Sequence, residues 1–254
     1  MTRHSRHLSL ALSLSLVLTG PAAGEKATVA VAANFAEVVE RLEADFMRET
    51  GHELTFVAGS TGKLYAQIAN GAPFDVLLSA DHARPEVLER DGLAVAGSRF
   101  TYSFGRLTLW SAEPGRVGED GAATLREGAF RRIAIANPDL APYGLAARQT
   151  LESLELWDSV KGEIVMGQSI GQAHALVASG SVELGFVALS YVLSPRNEIP
   201  GSRWDVPPSL HAPIRQDAVL LSRAADNQAA RAFLAFLRSA EAKAVIETYG
   251  YAVE

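Results

Sequence analysis

Cysteine is absent from all 254 residues. No disulfide, thiolate site or lipid-modified N-terminal cysteine is therefore available. Basic residues are scarce, with 23 Lys and Arg against 29 Asp and Glu. A nucleic-acid partner normally requires a basic face, so that class is excluded. Beyond the N-terminus no apolar run approaches the ~18 residues of a membrane span. Histidines at ligand spacing are missing too. His52, His82, His174 and His211 form no such pair and no HExxH, so direct metal ligation and a resident cofactor are not expected.

What is present begins with an export leader. MTRHSRH carries Arg3 and Arg6 without an acid, LSLALSLSLVL is an eleven-residue apolar run, and GPAAG supplies small residues before Glu25. This predicts a signal peptide over residues 1–24, cleaved after Gly24 or Ala22. Removal of its two arginines leaves 21 basic against 29 acidic residues, a net charge of −8. An exported, unanchored, disulfide-free chain points to the periplasm.

Past the leader, apolar runs of strand length alternate with helix-period segments. VAVAA (29–33) reads as a strand, and FAEVVERLEADF places Phe35, Val38, Val39, Leu42 and Phe46 on one helix face. HELTFVAG, FDVLLSA, RLTLWS, RRIAIAN, EIVMG and ELGFVALS read as further strands, each followed or preceded by helical sequence. Such alternation implies an α/β fold with mostly parallel sheets. Two series of it suggest two lobes, 25–102 plus 212–254 and 103–211, joined by a hinge of two crossings. Ligands of open α/β sheets sit beyond the strand ends, where helices begin.

Four of those strand-to-helix joints share a chemistry: AANF (32–35), GSTGK (59–63), APYG (141–144) and GQSIG (167–171). A helix start leaves up to four backbone N–H groups unpaired and carries partial positive charge. Small and neutral polar residues there add donors without a counter-charge. Several such ends facing one point would bind a small dianion inside an acidic protein. Taken singly, each joint has an ordinary reading. Asn34 is an N-cap with Glu37 at the capping-box position, and Ser60 or Thr61 caps its own helix. Tyr143 is an aromatic on a lobe surface, and Ser169 and Ile170 simply start a helix.

Two motifs compete with that reading. GSTGK resembles the end of a phosphate loop, but the motif's first glycine falls on Val57, and the match fails. GQSIG fits the nucleophile-elbow pattern with Ser169 as nucleophile, and Asp205 and His211 are the pieces available for a triad. A secreted serine hydrolase is thus an alternative of a different class.

Taken in order, VAANF, GSTGKLYAQIANGAPFDVLLSAD, GSRFTYSFGRLTLWSAEPG, IANPDLAPYGLAA, QSIGQAHALVASG, LGFVALS and ETYGY resemble the periplasmic molybdate-binding proteins of ABC transporters. The resemblance covers nearly the whole mature chain. It implies a bilobal periplasmic-binding-protein fold and no enzymatic activity. The cargo it implies is molybdate or tungstate, closed between the lobes of a monomer and handed to a membrane permease with its ATPase. It carries the oxyanion donors to Asn34 with neighbouring Ala33, to Thr61 with Ser60 beside it, and to the backbone N–H groups of Tyr143 and Ile170. Ala33 stands where the close branch can carry threonine, and Ala188 where some members place a tyrosine on the ligand. A protein of the same build for sulfate or another tetrahedral anion is the second alternative.

Overall fold

The computed structural model describes residues 24–254, so the expected leader, apart from Gly24, lies outside the described residues. Two five-stranded sheets form the two lobes. The first holds β1 (Lys26–Ala32), β2 (Glu53–Gly59), β3 (Val76–Leu78), β4 (Phe100–Gly105) and β10 (Ile214–Leu220), in the order β2-β1-β3-β10-β4. The second holds β5 (Leu107–Ser111), β6 (Ile133–Ala136), β7 (Ile164–Gly167), β8 (Leu184–Ala188) and β9 (Ser202–Asp205), in the order β7-β6-β8-β5-β9. Helices α1 (Ala36–Thr50), α2 (Thr61–Ala69), α3 (Ala83–Arg90), α9 (Gln228–Phe236) and α10 (Ala240–Thr248) belong with the first sheet. With the second lie α4 (Gly121–Glu127), α5 (Pro142–Ser153), α6 (Trp157–Val160), α7 (Ile170–Ala178) and α8 (Leu189–Val192).

The expected α/β bilobal architecture is present, but neither sheet is mostly parallel. β1 pairs in parallel with β2 and β3, whereas β10 runs antiparallel to β3 and β4. Likewise β6 is parallel to β7 and β8, and β5 is antiparallel to β8 and β9. The physical reason lies in the crossings. β5 and β10 arrive from the opposite lobe at the cleft end of their sheets, so they run against the strands that finish there.

Side-chain alternation distributes the core of the first lobe over both faces of its sheet. Val29 and Val31 of β1 pack beneath α1 and α9, while Ala30 faces α2 on the other side. The helical period foreseen for α1 is realised: Val38, Val39, Leu42 and Phe46 are all 0% exposed. Gly51, with φ +72°, ends α1 by donating its N–H to the Met47 carbonyl. Phe46 packs edge-on against Phe233 and Phe236, with ring centroids 5.5 and 5.7 Å away, and so ties α1 to α9.

Removing Phe46 leaves a cavity between two helices that the sheet below cannot collapse to fill. Phe46→Ala is expected to lower the unfolding free energy by about 3–5 kcal/mol, measured by urea titration.

Candidate functional site

β1, β2, β6 and β7 each end at the cleft, and each hands the chain to a helix start. After β1 comes a 3-10 turn, Ala33–Phe35, before α1; α2 begins at Thr61, α5 at Pro142 and α7 at Ile170. Local sequence fits these starts. Pro142 has no N–H to waste at the first helical position. Gly144 lets α5 lie against the end of β6, where a Cβ would come 2.2 Å from the Ala136 carbonyl oxygen.

The four starts enclose one cavity of about 190 Å3, lined by Ala32, Ala33, Asn34, Gly59, Ser60, Thr61, Ala80, Ala141, Pro142, Tyr143 and Ile170. All six residues singled out in the sequence line it. It is tight, closed in by side chains from both lobes. Every lining residue is uncharged.

The cavity is rich in free donors. The backbone N–H groups of Asn34, Thr61, Tyr143 and Ile170 lie in the opening turns of their helices, where the helix itself supplies no acceptor, whereas the Ala33 N–H is taken up by the β1–β2 ladder, whose last pair is Ala32 with Gly59. Ser60, 4% exposed, does not cap α2, and its buried hydroxyl is unpartnered. Thr61 Oγ1 accepts the Ala80 N–H at 3.0 Å, which fixes the oxygen and leaves its proton to donate elsewhere. Buried donors without partners are rare in native proteins, and a concentration of them points to a ligand that accepts.

Asn34 departs from the capping reading. It caps nothing: the residues preceding the 3-10 turn and α1 are Ala32 and Phe35, neither with a side-chain cap bond. Nor does its side chain serve the cavity, because Nδ2 spends its two protons on Gln216 Oε1 at 2.7 Å and Tyr251 Oη at 3.1 Å. What position 34 offers the cavity is its backbone N–H. Glu37 does not reach back to a cap either. Its carboxylate accepts from Ser194 Oγ at 2.5 Å and lies 4.0 Å from Arg196 of the second lobe.

Tyr143 is not a surface aromatic but 1% exposed. Its amide borders the cavity while its hydroxyl, unpartnered, lies so close to β4 that a Cβ on Gly105 would be 2.1 Å away. Burial, reinforced by the neighbouring Tyr251, Tyr102 and Tyr191, pushes this phenol far above its ordinary pKa. Burial likewise raises Tyr251 to about 12, so these phenols stay protonated donors. Sequence reasoning missed Gln216 and Tyr251 as supports of the site. The ETYGY motif marked Tyr251 without giving it a role.

The hydrolase pieces are not assembled. Ser169 Oγ accepts the Gln172 N–H at 3.3 Å as an ordinary cap of α7. The Asp205 carboxylate lies 3.2 Å from Arg203 and 3.6 Å from Arg106. His211 is held by its neighbour's carbonyl, Ala212 O, at 2.8 Å. No hydrogen bond joins the three. A larger, open hollow of about 1470 Å3 on the second lobe is lined in part by Arg116, Arg131 and Arg132. Arg116 and Arg131 are already paired, with Glu113 at 2.6 Å and Glu183 at 3.1 Å.

Across the mouth the lobes touch. Gly62 N–H donates to Leu140 O at 2.9 Å, and Arg84, paired with Asp81, donates to Asp139 O at 3.2 Å. A Cβ at Gly62 would meet the Leu140 carbonyl at 3.0 Å and its Cα at 3.1 Å.

Residues 27–252 match the family model described as bacterial extracellular solute-binding protein. The molybdate-binding protein ModA of Azotobacter vinelandii is 48% identical over 247 residues, which covers 97% of each chain. ModA of Rhodobacter capsulatus is 44% identical, over 96% of this chain and 95% of its own. Among solved structures, the periplasmic molybdate-binding protein of Azotobacter vinelandii superimposes with a TM-score of 0.86 at 43% identity, covering 90% of this chain and 99% of that one.

Two outcomes follow from this geometry. Gly62→Ala is expected to weaken ligand affinity without a comparable loss of unfolding free energy, because the added methyl meets backbone only when the lobes are together; paired calorimetric and urea titrations check it. His174, on α7, has its pKa lowered from the usual 6.5 by burial alone. Between that depressed value and 6.5 the unfolded chain binds more protons than the folded one, so the contribution of His174 to stability rises with pH across this window and is level on either side of it. In His174→Phe the slope of melting temperature against pH in that window is expected to flatten.

Proposed function

The chain belongs to the bacterial extracellular solute-binding proteins, and from that premise we propose that it captures molybdate, or tungstate, between its lobes and delivers it to a membrane permease of an ABC transporter. One observation carries the reading: four helix-start amides, drawn from both lobes, and the unpartnered Ser60 hydroxyl border a single small cavity that has no charged lining residue. Each helix start contributes about half a positive charge at its N-terminus, so converging starts match a dianion without a buried cation. That neutrality also suits release. A lysine or arginine left buried after the anion departs would carry a large desolvation cost.

Asn34, Thr61, Tyr143 and Ile170 serve through their backbone N–H groups, Ala33 lines the cavity beside Asn34, and Ser60 and Thr61 add hydroxyls. The anion favours closure because it contacts both lobes only when they meet. The hinge comprises the two crossings, expected at 102–103 and 211–212; β4 continues in the first sheet to Gly105, so the first crossing moves to Arg106, while the second stays within residues 206–213. The protein works as a monomer in the periplasm, binds and releases without chemistry, and relies on the permease's ATPase for transport.

Isothermal calorimetry with molybdate, tungstate, sulfate and phosphate tests the cargo. Heat with molybdate and tungstate is expected, and heat with sulfate alone would transfer the protein to the sulfate alternative. Ser60→Ala tests the cage. Its hydroxyl makes no bond in the protein, so folding stability is expected to hold or rise slightly. Molybdate affinity is expected to fall by about 1.5–3 kcal/mol, the range for a hydrogen bond to a charged group. Unchanged affinity would remove Ser60 from the donor set.

A further inference from the structure

Tyr191 lies outside the cavity, on α8, immediately after the last strand that points at the cleft. From the second lobe its hydroxyl donates to the Ala33 carbonyl oxygen of the first at 2.7 Å. The Ala33 carbonyl and the Asn34 N–H belong to the same peptide unit. No cis peptide occurs among the described residues, and a trans unit aims its C=O and N–H in opposite directions. The Ala33 oxygen also accepts the Ala36 N–H of the 3-10 turn, and the second donor, seated on it from the other lobe, therefore helps fix where the Asn34 N–H points. It also draws electron density toward the oxygen and strengthens that N–H as a donor, because hydrogen bonds in series polarise one another.

The surroundings hold Tyr191 to this task. Its ring stacks on His174 at 4.6 Å and 13° between planes, and His174 stacks in turn on Trp110 at 5.2 Å and 24°. Gly171, in the first turn of α7, makes room: a Cβ there would stand 2.9 Å from the Tyr191 hydroxyl. Burial raises the phenol's pKa, so the group remains a donor. The following carbonyl, that of Asn34, is held independently by Tyr251 Oη at 2.6 Å and Ser190 Oγ at 3.0 Å. Donor bonds from outside the cavity thus grip both consecutive carbonyls of the first joint.

We infer that Tyr191 is a positioning residue for oxyanion binding, acting across the lobe boundary to orient and polarise the Ala33–Asn34 peptide whose N–H borders the cavity. The inference rests on the oxyanion-binding function proposed above. It adds that the second lobe supplies not only its own amides but also the alignment of an amide on the first.

The test is Tyr191→Phe in the full mature chain, which keeps the ring and its stacking on His174 and removes only the hydroxyl. Thr108→Val is the control: its buried hydroxyl donates to Trp204 O at 3.0 Å within the second sheet, away from the cavity. By calorimetry the molybdate Kd of Tyr191→Phe is expected to rise roughly five- to twentyfold. Thr108→Val is expected to melt at lower temperature with its Kd unchanged. In 15N–1H spectra of the molybdate-saturated protein, the Asn34 amide is expected to shift in Tyr191→Phe while those of Thr61, Tyr143 and Ile170 hold. A Kd within twofold of wild type overturns the inference. So does a weakened Kd with the Asn34 amide unmoved, because the hydroxyl then acts through folding or closure in general. Absence of molybdate heat in the wild type overturns the functional proposal, and this inference with it. Wild-type binding that Tyr191→Phe retains in full overturns the inference alone.

Discussion

An anion in this cleft has only backbone dipoles and uncharged side chains to hold it. Each helix start brings amides that its own helix cannot satisfy, and the fold turns four such starts toward one small volume. An isolated helix end in water is worth little to an ion, because water competes for the same amides and screens the dipole. Enclosure changes that balance. With the lobes together, lining residues such as Ser60 and Thr61 are 4% and 1% exposed, and the lower dielectric strengthens every donor. Closure is therefore a condition of binding as well as its result.

Behind the cavity lies a buried polar cluster. Gln216, 0% exposed on β10, receives the Asn34 amide and donates to Ser103 Oγ at 3.1 Å; Tyr251 bonds Asn34 twice. Buried amides and phenols are costly unless satisfied, and a core built only for stability would use apolar groups here. Their cost is offset by what they fix, since they lock a joint whose outward face must present unpaired amides. They also stand beside the crossings. Gln216 and Gly105 sit on the two strands through which the chain passes between lobes, and the Tyr143 hydroxyl abuts Gly105 of β4. Tyr143 thus has its amide at the cavity and its phenol at the hinge, which connects occupancy to closure through one side chain.

Charge plays its part at the rim. Arg84 reaches Asp139 O across the mouth while paired with Asp81, so the contact adds no net charge near the cavity. A chain with a formal net charge of −6 repels dianions weakly at long range, and salt relieves that repulsion. At short range the neutral cage decides.

Much of this was legible in the sequence. The 3.6-residue spacing of Val38, Leu42 and Phe46, and the strand–helix alternation, determine the α/β class, because burial of one face depends on local periodicity alone. Small and hydroxyl residues at four joints marked the cavity lining, because the chemistry of a helix start is also local. Strand β10 was not legible. It carries Gln216 and Asp217, both 0% exposed, and Asp217 is satisfied by Arg99 at 3.0 Å and Thr101 at 2.8 Å, more than a hundred residues away in sequence. The direction of the Asn34 side chain depended likewise on distant partners, Gln216 and Tyr251, as did the grip of Tyr191 on Ala33. Local pattern determined which segments became helix or strand and which joints carried donors. Only the tertiary structure decided which of those donors remained free, because that depends on which acceptors the rest of the chain brings within reach.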